Sequence, residues 1–282
     1  MRRDGFAVGI ARRRRSPARE RYSTRRARDG RIDDAREFTA ADRIATRRDR
    51  GERKKRMSAN NINHTQRYNI VASTSAAQRN AHAIAAVAKK YITSHPAART
   101  RSFDCLEIAC GSGVHARVVC DACEDALRSY VPTDVFDGAF DDVRANAVDA
   151  SEALRAPEVL DAREFDVRVD ARSLDGVLAV NVAHISSKAA TVGIFRGAAR
   201  ALREHGYLMI YGPFTDATIA DGGFRSDGDR KFDASLRERD AENFGLVDVQ
   251  TMDGYAAEFG LEVVAHEEMP ANNLTLVFRQ PR

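Results

Sequence analysis

The sequence predicts an α/β fold: a doubly wound, mostly parallel seven-stranded sheet closed by a terminal antiparallel hairpin and preceded by a disordered basic arm. Three observations carry this. The apolar run Phe103–Ile108 stops on Gly111-Ser112-Gly113 and is followed by a helical pattern. Five strand-like runs then alternate with helical periods. Finally, Leu261–His266 and Leu274–Arg279 are separated by only Glu267–Asn273, the spacing of a hairpin rather than of a parallel crossover.

Charge divides the chain. Residues 1–56 hold 19 Arg and 2 Lys against 9 Asp and Glu, a net of +12, so the +4 of the whole leaves the remainder at −8. The basic pI therefore belongs to the N-terminal segment, and the body gives no electrostatic reason to expect nucleic-acid binding. Residues 1–68 lack periodic apolar positions and are expected to be disordered, with the folded domain at 69–282. The Arg-rich start fits three readings: a transit peptide to mitochondrion or plastid, an interaction arm, or an extension upstream of a functional start at Met57. Without a transit peptide the expected compartment is the cytoplasm. No run of eighteen apolar residues and no secretory leader is present, so neither membrane spanning nor secretion is expected.

The elements follow in order. Ser75-Ala-Ala-Gln78 has the form of a capping box, and Ile84, Val87, Ala88 and Tyr91 repeat at helical spacing until His95-Pro96. The helix after Gly113 is expected to run to about Ser129, where a short strand delivers Asp134. Residues 137–160 read as a polar-faced helical stretch, and Phe165–Val169 as the next strand, ending in Asp170. Gly176–Val182 is almost wholly apolar, as a central parallel strand should be. A helix capped by Ser186 or Ser187 carries Phe195, Ala198, Ala199 and Leu202, with Gly206 as its C-cap, and Tyr207–Tyr211 is the fifth strand. The polar excursion Thr215–Leu246 contains a short helix at 232–240 that could serve as a lid, and a further helix is expected over Val249–Phe259.

Glycines at 111 and 113 let a backbone approach a ligand where a Cβ would obstruct it, and the free N–H groups of the next helix turn lie alongside. That describes a nucleotide-cofactor site, although a lone Gly-x-Gly also makes a plain strand-to-helix turn. Gly111-x-Gly113-x-x-Ala116 with Asp134 on a ribose hydroxyl allows NAD. Glu107, an acid inside an apolar strand, and the antiparallel ending favour S-adenosylmethionine. Asp170 is a candidate for the adenine amine, or a loop carboxylate in water. Asn181, His184 and Tyr211 stand at strand ends, where open α/β sheets bind ligands; His184 is the candidate base and Asn181 and Tyr211 would orient the acceptor, Asn181 also touching the cofactor. His184 could equally cap the next helix. Arg79 and Asn80 could fold over the substrate; Asn272 and Asn273 could line its pocket or simply make a turn. Cys120-x-x-Cys123 lacks a second ligand pair, so no metal site is expected; the four cysteines read as reduced structural thiols, with a redox Cys-x-x-Cys as the weaker alternative.

Several stretches together resemble a known family: Ser75-Ala-Ala-Gln-Arg-Asn80, Leu106-Glu-Ile-Ala-Cys-Gly-Ser-Gly113 with His115, Asn181-Val-Ala-His-Ile185, Phe195-Arg-Gly-Ala-Ala-Arg200, Tyr211-Gly-Pro-Phe214, Phe232-Asp-Ala-Ser-Leu-Arg237 with Arg239-Asp240, and Met269-Pro-Ala-Asn-Asn-Leu274. The pattern is similar to the methyltransferase-like proteins that include methyltransferase-like protein twenty-six. The resemblance implies a class I, Rossmann-like fold, S-adenosylmethionine as cofactor with His115 beside it, and methyl transfer to a small-molecule or protein acceptor that it does not identify. The alternative is a catalytically silent module of the same fold used for binding. Cys110 and Val114 depart from the family's usual Ser and Gln, and the segment between Asp170 and Gly176 is short and lacks the usual Trp and Pro. The family's members lack the Arg-rich arm.

Overall fold

A computed structural model of the chain describes residues 75–282. The basic arm, the start at Met57, the domain boundary at 69 and the capping side chain of Ser75 lie outside the described residues.

The first element is α1 (Ser75–Ser94), ended by His95, whose Nδ1 accepts the Ala97 amide at 3.2 Å. Then come β1 (Phe103–Ile108), α2 (Val114–Ala122), β2 (Leu127–Asp134), α3 (Phe140–Asn146), β3 (Glu158–Val159), α4 (Phe165–Arg168), β4 (Leu174–Val180), α5 (Lys188–Ala201) and β5 (Leu202–Gly212). The excursion carries β6 (Phe214–Thr215), α6 (Asp227–Arg239) and β7 (Val247–Asp248), followed by α7 (Val249–Glu258), β8 (Glu262–Glu268) and β9 (Leu274–Arg279).

The sheet order is β3-β2-β1-β4-β5-β9-β8, parallel through β5, with β9 antiparallel to both its neighbours. The predicted sheet, mostly parallel with an antiparallel ending, is therefore the observed one. Every residue of β1 and β4 is buried, because helices cover both faces of the centre of the sheet. One core layer holds Leu106, Ile108, Phe165, Phe195 and Ile210 under α4, α5 and α7. The other holds Phe103, Cys105, Tyr130 and Tyr211 under α1 and α2. At the amino edge, Arg203 joins the buried Asp104 and Asp175, reaching Asp175 at 2.7 Å, and Arg128 and Ser129 complete Asp104.

Four local expectations are corrected. Phe165–Arg168 is a helix, not a strand: Phe165 and Val169 are also one helical turn apart, and only they are buried while Val167 is 66% exposed. The third strand is instead β3, two residues long, paired with Thr133 and Asp134. Residues 137–160 are helical only to Asn146, since Asp149 takes a left-handed φ of 58° and the chain then turns back to the sheet. The helix after Gly113 stops at Ala122, where the Cys123 amide closes on Val119 and Cys120 and frees the chain to enter β2. Gly206 is not a helix cap but lies inside β5, where a Cβ would stand 3.0 Å from the carbonyls of Arg203 and Asp175.

Candidate functional site

The turn leaving β1 reverses through three left-handed residues, Ala109 (φ 56°), Gly111 (φ 59°) and Gly113 (φ 79°). Gly113 is also fixed by space, because a Cβ there would come within 2.9 Å of Val143 Cγ1 on α3. The turn is tied down by Cys110 N donating to Thr133 O at 2.8 Å and Asn146 Nδ2 donating to Ser112 O at 2.9 Å. Its outcome is a left-handed glycine cradle at the N-terminus of α2.

Beneath the cradle lies Glu107, fully buried. Its Oε2 accepts the Tyr130 hydroxyl at 3.1 Å, while Oε1 is buried without a partner. Burial pushes this carboxyl up to about 8, so it holds its proton at neutral pH. Asp134, at the end of β2, accepts the amides of Gly111 (3.2 Å) and Phe136 (3.1 Å), which places it one strand along from the glycines. Asp170 is not in this group. With its strand replaced by α4, it is exposed and precedes the amino end of β4, on the edge opposite the cradle. The acid that follows β3 is Asp161, which caps the next turn through Arg163 N at 2.9 Å.

Helix α1 reaches the same edge. Asn80 Oδ1 accepts His115 Nε2–H at 2.9 Å, and its amide bonds the Tyr211 hydroxyl. Residues expected to serve substrate, cofactor and catalysis are thus brought into one bridge. His115, 8% exposed, is pushed down to about 4 by burial and is neutral. Arg79, next along the helix, is exposed.

His184 is separated from Tyr211 by the sheet. Tyr211 faces the α1 and α2 layer, whereas His184 packs beyond Gly212, whose Cβ position is 3.5 Å from Nδ1. Asn181, at the end of β4, has φ 55° and donates its amide to Tyr211 O at 2.8 Å. His184 does not cap α5; Ser187 does, accepting the Ala190 amide. The His184 residue is 5% exposed, burial pushes its imidazole down to about 4, and neither ring nitrogen is hydrogen-bonded among the described residues. The Phe232 ring of α6 meets it edge-on at 5.6 Å. Asn272 and Asn273 form the turn into β9, with Asn273 Nδ2 on Pro270 O at 3.1 Å; because Leu274 pairs with Gly212, this turn too stands at the carboxyl edge.

Against known families, residues 71–280 match the one described as Protein of unknown function (DUF938). The chain belongs to the DUF938 family. Several solved structures with the same fold are methyltransferases by description. A Haloferax volcanii candidate methyltransferase in complex with the Trm112 methyltransferase activator aligns over 76% of this chain and 98% of its own, at 14% identity and TM-score 0.56. The carbon methyltransferase CurJ aligns over 77% of this chain and 58% of its own, at 18% identity and TM-score 0.54. An O-methyltransferase family 2 protein from Planctomyces limnophilus, in complex with apigenin, aligns over 68% of this chain and 57% of its own, at 16% identity and TM-score 0.55. The chain thus spans little more than half the length of the last two. At these identities the likeness shows the class I methyltransferase fold.

In the DUF938 domain the residues present fit an adenosyl cofactor: a left-handed glycine cradle, a buried orphan oxygen beneath it and a carboxylate one strand along. Sequence reasoning did not place Asp161 after a strand and missed the Tyr130 partner of Glu107. The four cysteines are free and buried. Among the described residues no cluster of metal-ligating side chains exists, and no helix is long and apolar enough to cross a membrane.

Proposed function

We propose that this chain is an S-adenosylmethionine-dependent methyltransferase acting on a small-molecule or protein acceptor. The observation that carries the reading is the cradle of Ala109, Gly111 and Gly113 set over the unpartnered oxygen of Glu107. The segment-by-segment resemblance to the family of methyltransferase-like protein twenty-six supports it. Gly111 and Gly113 admit the cofactor to the backbone, Asp134 takes its ribose hydroxyls, and Asp161 assumes the adenine contact once expected of Asp170. Glu107, His115 and Asn181 complete its walls. The cofactor, when bound, supplies an electrophilic methyl group. The protein's part is to align an acceptor lone pair and exclude water, and alignment alone lowers such barriers by about 7–11 kcal/mol. His184, neutral and unbonded, accepts the acceptor's proton, while Asn181 and Tyr211 hold the strand ends in place. Asn80 ties α1 over the site; Arg79, Asn272 and Asn273 form its rim.

Isothermal titration of the full chain with S-adenosylmethionine, S-adenosylhomocysteine and NAD tests this. The first two should bind and NAD should not. Asp161→Ala should weaken binding roughly tenfold, the worth of one hydrogen bond to a charged group, and Asp170→Ala should leave it unchanged. Binding of none of the three would favour a silent module of the same fold, and NAD binding alone would refute the cofactor assignment.

A further inference from the structure

The acceptor side of the edge has a chemical character of its own, and its interpretation rests on the methyltransferase function proposed for the chain. His184 is nearly enclosed, yet both ring nitrogens lack a hydrogen bond among the described residues; the contact the residue does make, Gly245 N to His184 O at 3.0 Å, belongs to its backbone. Neither ring nitrogen is among the fully buried unpartnered polar atoms, so the imidazole of this nearly enclosed residue is open to a ligand that can meet its one donor and one acceptor.

The neighbour of that imidazole is an aromatic ring with free surface. Phe232 is 40% exposed, although α6 buries Asp233 and Leu236 close by on the same helix. It is not free to drift. Asp233 receives Leu246 N at 2.7 Å and Arg237 Nε at 2.8 Å, so the residue beside Phe232 locks α6 to the very loop whose Gly245 holds His184. These contacts make Phe232 a fixed wall of the site.

The carboxylate beside that ring is already engaged: both oxygens of Asp233 are hydrogen-bonded, one to Leu246 N and the other to Arg237 Nε, so an ammonium finds no open counter-ion there.

We propose that the acceptor is a small, non-cationic, planar hydroxyl compound of the phenol class, its ring against Phe232 and its hydroxyl hydrogen-bonded to a ring nitrogen of His184. An apolar wall with one convergent polar group is the usual construction of a small-molecule pocket, and an exposed aromatic ring favours a second ring in offset or edge-on contact.

The test is saturation-transfer NMR on the full chain, with 2-naphthol as probe and cyclohexylamine as a compact cationic competitor, each with and without S-adenosylhomocysteine. The expected result is binding of 2-naphthol and none of cyclohexylamine. Phe232→Leu and His184→Ala should each weaken 2-naphthol at least tenfold while keeping the wild-type far-UV circular dichroism, and Phe232→Tyr should retain it. Equal binding of the two probes, or 2-naphthol binding indifferent to both weakening substitutions, overturns the proposal. So does S-adenosylhomocysteine binding without 2-naphthol binding. Binding of 2-naphthol with the expected dependence on both residues but no S-adenosylhomocysteine binding supports the acceptor site and sinks the cofactor reading instead.

Discussion

Replacing Glu107 by glutamine removes a carboxyl that the fold keeps protonated. Its pKa is raised from 4.5 to about 8 by burial, so below about pH 4.5 the folded and unfolded chains both carry the proton and ionisation costs nothing. Above that, the unfolded chain releases its proton and the folded one cannot. Stability is therefore lost as pH rises, and the loss levels off once pH passes the folded value. At about 1.36 kcal/mol per pH unit, the range from 4.5 to about 8 amounts to about 5 kcal/mol. That is a large share of a typical domain's stability. The glutamine side chain has no such proton and keeps an oxygen for the Tyr130 hydroxyl. Urea unfolding of both proteins without cofactor, followed by circular dichroism at pH 5, 7 and 9, should show the advantage of Glu107→Gln growing from below about 1 to about 3 and then about 5 kcal/mol relative to wild type. A difference between the two proteins that stays constant with pH would refute the reasoning, because Glu107 would then be ionised in the fold and matched by a positive charge.

Gly113→Ala must place a Cβ at φ 79° and 2.9 Å from Val143 Cγ1. Left-handed backbone costs alanine about 1–2 kcal/mol and overpacking about 1–3; in denaturant titration Gly113→Ala should cost less on a Val143→Ala background than on the wild type, by the Cγ1 contact alone, because Val143 Cα and Cβ stay 3.1 and 3.2 Å away. Asn80→Ala strips the partner from His115 and Tyr211 at once, and a loss of about 1–3 kcal/mol is expected. If urea midpoints of wild type and Asn80→Ala coincide, the bridge carries no energy. The same variant should lower S-adenosylhomocysteine affinity in titration calorimetry.

How legible was this in the sequence? β1 and β4 announced themselves because strands covered on both faces have few polar positions to confuse the pattern. β3 could not, having two residues of which Val159 is 57% exposed. Phe165-Asp-Val-Arg-Val169 satisfies both the period of two and the period of four, and only the packing of Phe165 and Val169 decides between them. That single misreading put Asp170 at the end of a strand, a position the structure gives to Asp161 after β3. The turn of Gly111 and Gly113 and the place of Asp134 at the end of β2 were readable because they depend on short spacings within one stretch of chain. The pairing of Glu107 with Tyr130 needed the β1–β2 register, and that of His184 with Phe232 needed a contact across 48 positions of chain. Local patterns do not hold such information.

The thiols lend themselves to a different use. All four cysteines of the chain fall within 105–123, on β1, the cradle and the end of α2. Each is buried, and burial holds each thiol up, Cys123 to about 11, so a thiol reagent meets neither access nor thiolate while this region is closed. The chain from β4 onward has none. The rate at which an alkylating reagent consumes thiols is therefore a clock for the opening of β1, the cradle and α2 alone, already built into the wild-type protein, and a ligand seated in the cradle should slow that clock while one held only by Phe232 and His184 should leave it running.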